Sequence, residues 1–212
     1  SDGRQLLQAH KTAVTALVVV PPPPSDTGAQ PELWTGSDSG AVRAWPDMGR
    51  HGTHSVEVEL PGRAGDTKDS SPAVRALLRV GSTVWSGGHG GIHLWNAHTK
   101  EHIASIANSD KVTCLRLVFA GGAARVLSGH SHGRAVLWTP GDERPQLWKQ
   151  LCADAWSPAH SSPGSGEKVT CTATTSLSAL PGIDSSADHA LWVGFGDGTI
   201  HGYLASTGER LR

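Results

Sequence analysis

Twelve histidines and three cysteines are the residues of this 212-residue chain best suited to chemistry. Imidazole binds metals and moves protons near neutral pH, and thiolate binds zinc and acts as a nucleophile. A zinc centre needs three or four such ligands converging on one point. His89 and His93 flank one short segment, and His130 and His132 share another, with no cysteine beside either pair. They read as turn and surface histidines. Cys114 and Cys171 each stand fourth in a matching Lys-Val-Thr-Cys segment and read as small buried side chains, not as a disulfide. No phosphate-cradling loop and no post-strand Gly-x-Gly-x-x-Gly occurs. The sequence therefore nominates no catalytic, cofactor-binding or metal-ligating residue and no cofactor. It does nominate cations. Lys111 and Lys168 open the two matching segments, and Arg75 lies two places beyond the corresponding site in a third. Were these segments to line a common channel, the three cations would crown one mouth and dock a phosphorylated ligand or an acidic peptide.

The elements that would position them are written four times. Glu32 to Pro46 reads ELWTGSDSGAVRAWP, two short apolar arms about a tight turn, with Trp34 and Trp45 at the ends. Trp85 to Trp95 (WSGGHGGIHLW), Leu127 to Trp138 (LSGHSHGRAVLW) and Trp192 to Tyr203 (WVGFGDGTIHGY) repeat it. Self-similarity of this kind is the signature of a repeat architecture. A β-prone segment precedes each hairpin: Ala13 to Leu17, Ala73 to Leu77, Lys111 to Leu115 and Lys168 to Thr172. The fourth place of each is small, which points to a crowded position. Ser55 to Leu60, His102 to Ile106 and Gln146 to Leu151 read as closing strands, and Gln5-Leu6-Leu7 as a further one that would let the two ends share a blade.

Units of three or four antiparallel strands are propeller blades. The predicted fold is an all-β, WD40-like β-propeller with about four recognisable blades, as a partial or fragmentary ring. A single region spans 1–212, with blades at approximately 10–60, 73–107, 111–152 and 168–212. Pro21 to Pro31, Pro61 to Pro72, Pro158 to Glu167 and Pro181 to Asp188 are surface insertions. Gly40, Gly90, Gly133 and Gly198 fall where hairpin turns call for positive φ, and the shorter second hairpin requires a different turn. The blade-forming side chains are Trp34, Trp45, Trp85, Trp95, Trp138, Trp192 and Tyr203.

Composition agrees with that reading. Six of the eight tryptophans sit in the hairpins, where burial is their work. Eighteen Lys and Arg against 19 Asp and Glu give no field that would attract nucleic acid. No apolar run approaches the ~20 residues of a membrane span. Three cysteines suit a reducing, intracellular, cytoplasmic setting.

Ala44-Trp45, Leu94-Trp95-Asn96 and Leu137-Trp138 stand where WD40 repeats carry Trp-Asp, and the units resemble that family. More narrowly, Leu33 to Pro46, Val84 to Glu101 (VWSGGHGGIHLWNAHTKE) and Leu191 to Thr199 (LWVGFGDGT) are similar, in order, to the amino-terminal propeller of plant type II inositol polyphosphate 5-phosphatases. WD40 blades commonly join a His, a Ser or Thr, a turn Asp and the Trp by hydrogen bonds. His10, Thr35 and Trp45 of the first unit match, with Ser39 at the Asp site and Asp38 beside it, and no other unit offers such a set. The phosphatase motifs Trp-x-Gly-Asp-x-Asn-x-Arg and Pro-x-Trp-Cys-Asp-Arg do not occur. The resemblance thus implies a non-catalytic protein-interaction scaffold within an inositol polyphosphate or phosphoinositide 5-phosphatase-like protein, the enzyme activity and phosphatidylinositol dephosphorylation belonging to the parent. The alternatives are a stand-alone scaffold subunit of another complex and a propeller with a lectin-like or hydrolytic site in its channel. Other proteins are the expected partners.

Overall fold

The computed structural model describes residues 10–26, 28–46, 56–58, 73–106, 110–120, 122–141, 145–151, 168–176 and 189–211. Every regular element among them is a strand, so no helix long and apolar enough to cross a membrane is present there. The first sheet is β1 (Val14–Val20), β2 (Glu32–Ser37), β3 (Val42–Trp45) and β4 (Val56–Val58). The second is β5 (Val74–Val80), β6 (Thr83–Gly88), β7 (Gly91–Asn96) and β8 (His102–Ile106). The third is β9 (Val112–Ala120), β10 (Ala123–His130), β11 (Ala135–Thr139) and β12 (Gln146–Gln150). The fourth is β13 (Val169–Ser176), β14 (His189–Phe195) and β15 (Ile200–Leu204). Neighbours in each sheet are antiparallel and follow chain order. The insertions at 61–72, 158–167 and 181–188, and Gln5 to Leu7, lie outside the described residues.

Registers show that the four sheets repeat position by position. Trp45, Trp95, Trp138 and Tyr203 stand opposite Leu33, Val84, Val126 and Leu191. Trp34, Trp85 and Trp192 share a second place, taken in the third sheet by Leu127, opposite Val18, Leu78, Ala173 and Arg116 respectively. Alternation along each strand sends the two places to opposite faces. Each junction between sheets is therefore filled from both sides. Trp34 of the first sheet meets Leu77 and Trp95 of the second. Trp85 of the second meets Val112 and Trp138 of the third. Leu127 of the third meets Val169 and Tyr203 of the fourth. Each such side chain contributes roughly 1.5–3 kcal/mol by leaving water.

The inner strands stand side by side, β1 on β5, β5 on β9 and β9 on β13. Their small fourth residues, Ala16, Ala76, Cys114 and Cys171, pair with Gly36, Gly87, Gly129 and Gly194. A Cβ added at Gly36, Gly87 or Gly129 would lie 2.5 Å from Cγ1 of Val74, Val112 or Val169 in the next sheet. Each sheet thus offers a glycine socket to a valine knob of its successor, and this close approach is the crowding that the small residues accommodate. No comparable packing joins β13 to β1 among the described residues.

In the first, third and fourth hairpins, Gly40, Gly133 and Gly198 take φ of 83, 77 and 86°, and their N–H groups close the turn on Ser37, His130 and Phe195. The second hairpin turns over two residues between Gly88 and Gly91. There the positive φ belongs to Gly91 (100°), not to Gly90 as the sequence pattern suggested. Deleting one residue moves the strained position to the end of the turn. Beyond β15, Tyr203 bridges Arg210, and Leu211 N–H donates to the Gly202 carbonyl at 2.8 Å. The chain's own continuation thus pairs with part of the outer edge of β15.

Candidate functional site

The four inner strands begin at one end of the sheets. The carbonyls of Ala13, Ala73, Lys111 and Lys168, each one residue before its strand, accept from turn N–H groups of Asp38, His89, Ser131 and Gly196 (2.8–3.3 Å). This repeated bond fixes four equivalent positions on one rim, carrying Ala, Ala, Lys and Lys. Two residues into the strand the equivalent residues are Thr15, Arg75, Thr113 and Thr170. Thr113 Oγ1 donates to the Val169 carbonyl of the next sheet (2.6 Å), and Thr15 Oγ1 does the same to Val74. Arg75 interrupts this series. Its guanidinium lies 3.1 Å from Asp38 Oδ1 of the preceding sheet, and both side chains stay about half exposed.

A cavity of about 480 Å³ opens at this rim, lined by Arg75, His89, Lys111, Val112, Thr113, Ser131, Lys168 and Thr170. The structure thus places Arg75, Lys111 and Lys168, from three successive sheets, around one space. Lys111 and Lys168 are exposed and make no ion pair with any described residue. Asp110, next to Lys111 in the chain, is engaged by His132 (2.7 Å) and Arg134 (3.1 Å) and does not line the cavity, and Glu167, next to Lys168, lies outside the described residues. Cationic donors and hydroxyls, with no carboxylate among the described lining residues, can hold an anionic oxygen by charge-assisted hydrogen bonds. Sequence reasoning missed His89, Ser131, Thr113 and Thr170. Their equivalence in register was the available signal, and it needed the bulged pairing that only the fold reveals.

The tryptophan positions are structural. In the first sheet, His10 Nε2 and Thr35 Oγ1 lie 2.7 Å apart, and Trp45 Nε1 donates to Thr35 Oγ1 at 3.0 Å. His10, Thr35 and Trp45 of the set read from the sequence there do join, while Ser39 Oγ lies 3.0 Å from Ser37 Oγ. Such a set was not expected again, yet the third sheet has one: Trp138 Nε1 donates to Ser128 Oγ (2.8 Å), which bonds His130 Nε2 (2.9 Å). His130 is fully buried, which corrects its reading as a turn or surface residue. Desolvation, reinforced by Arg134 and opposed by Asp110, lowers its pKa to about 4, so it is neutral. His132 is the exposed member of that pair. In the second sheet, Trp95 Nε1 has no partner despite complete burial. Trp192 is half-buried, on the face of the fourth sheet turned away from the third. Cys114 is half-buried, its Sγ 4.0 Å from Thr113 Oγ1. Among the described residues no three His, Cys, Asp or Glu side chains group as metal ligands.

Repeated antiparallel sheets joined by inner-strand and tryptophan packing define a WD40-like β-propeller fold. Solved structures agree. The chain is similar to the computationally designed Ika4 protein (18% identity, 96% of this chain and 99% of that one, TM-score 0.57). It is also similar to Sqt1 of Saccharomyces cerevisiae (12%, 93% and 47%, TM-score 0.64). A third likeness is to the β-propeller domain of Myceliophteria thermophila Cps50 (Swd1) (14%, 95% and 55%, TM-score 0.59). The chain therefore spans about half the length of these last two. No protein-family profile and no curated protein sequence matches it.

Proposed function

We propose that this chain is a non-catalytic protein-interaction scaffold whose cationic rim receives an acidic or phosphorylated segment of a partner protein. The observation that carries the reading is the convergence of Arg75, Lys111 and Lys168 on one cavity. Arg75 is the most informative of the three. At its position two other sheets use threonine to bond the next sheet, so an arginine there gives up a structural bond to put a cation at the rim. A rigid propeller suits such work because its loops and rim are free to vary while the sheets hold them in place. The sequence likeness at Leu33 to Pro46, Val84 to Glu101 and Leu191 to Thr199 supports placing this scaffold in an inositol polyphosphate 5-phosphatase-like protein of the cytoplasm, where it would hold partners near the enzyme.

The test is a titration of fluorescent glutamate-rich and phosphoserine peptides against the chain and its K111E/K168E variant. Wild type should bind with an affinity that falls steeply with salt, and the variant should lose at least tenfold. Equal affinities would overturn the reading. Both lysines are exposed, so the variant folds and the comparison is clean.

A further inference from the structure

Position-by-position equivalence of the sheets exposes two apolar faces that should not be bare. Val74, Val112 and Val169 are 6, 0 and 0% exposed as knobs in the preceding sheet, whereas Val14, the same residue of the first sheet, is 44% exposed. Leu17 is 61% exposed where its equivalent Leu77 is 9%. On the far side, Ile200 is 68% exposed, while Val42, Ile92 and Ala135 at its place are buried against the next sheet. Trp192 is only half-buried where Trp34 and Trp85 are fully so. The first sheet therefore offers a knob without a socket. The fourth offers the socket position, Gly194, together with Ile200 and Trp192, without a knob.

We propose that a second copy of this chain covers both faces, the fourth sheet of each copy seating the first sheet of the other in a closed two-fold ring. The occupant is written into the repeat. The missing neighbour of the fourth sheet must present what the second, third and fourth sheets present, a Val knob beside a residue at the Leu77 place, and Val14 with Leu17 is that surface. The missing neighbour of the first sheet must present a glycine socket with a large side chain at the Trp34 place, and Gly194 with Trp192 is that surface. Arc length agrees: the chain spans 47–55% of the two natural propeller chains, so two copies supply about one such chain. Nothing in the described residues closes the arc on itself. The contact is heterologous at each junction, and a ring is what satisfies both junctions at once. This inference is independent of the cationic rim.

Sedimentation velocity on the chain should give a species of twice the 22.1 kDa chain mass. Leu17→Asp and Ile200→Asp, both at exposed sites, should each halve that mass while leaving the β circular dichroism unchanged. Mixing the two variants should restore dimers, since one junction of the mixed pair is intact. A monomer for wild type at every soluble concentration, an open-ended assembly, or dimers that survive both substitutions would each overturn the proposal. A monomer would assign the two faces to further blades or to another protein.

Discussion

The second and third sheets solve the same packing problem differently. Both put a tryptophan at one place of the third strand, and both press it against the sheet before. Trp138 donates to Ser128, which is held by the buried His130. Trp95 has no acceptor for its N–H and instead lies among rings, with His93 and His102 centroids 6.0 and 6.2 Å away. Ser86 occupies the Ser128 place in the second sheet, but Gly88 stands where the third has His130, so the Trp–Ser–His set of the third sheet is not repeated at these positions. Aromatic volume is what every junction requires. The hydrogen-bonded set is an addition that burial can do without.

Truncation should therefore cost both sheets alike. Trp95→Ala and Trp138→Ala should each lose about 3–5 kcal/mol in denaturant unfolding, and a small loss in either would break the equivalence. Acid should separate them. His130 is neutral when folded, with a pKa of about 4 against 6.5 when unfolded. The unfolded chain thus binds the extra proton. Stability is intact above pH 6.5 and declines as pH falls toward 4, by about 3 kcal/mol in all. His102 and His201, also lowered by burial, add in the same direction. His130→Gln should flatten most of that slope, measured as Tm against pH.

Close approach gives the next effect. Gly87→Ala drives a methyl into Val112 and should cost about 1–3 kcal/mol, with Val112→Ala in the same chain recovering part of it. Conservative replacement sharpens the contrast. Trp138→Phe should cost about 1 kcal/mol more than Trp95→Phe, because only the former deprives a buried hydroxyl, that of Ser128, of its indole donor. The smallest effect concerns function: Arg75→Thr restores the recurring threonine and should leave stability within about 0.5 kcal/mol or slightly raised, while weakening anionic peptides.

The hairpins were legible because Trp, Gly and turn residues recur at fixed spacing, and they place all four sheets correctly. Inner strands run longer than their apolar cores suggested: β9 reaches Ala120, past Phe119, which is exposed. Ladder bonds, not burial, extend it. His130 was illegible because a histidine beside a turn is ordinarily solvated, and only the register that puts it on the Ser128 face buries it. The bare faces were equally hidden, since Leu17 and Leu77 look alike until one knows what stands beside each. Lys111 and Lys168 were legible from segment matching, whereas the hydroxyls around them needed the rim.

The most direct test of the scaffold account is lysine footprinting with a bound glutamate-rich peptide. Reductive methylation read by mass spectrometry should find Lys111 and Lys168 protected several-fold on binding, and Lys11, which does not line the cavity, unchanged. Equal labelling of Lys111 and Lys168 with and without peptide would contradict the account.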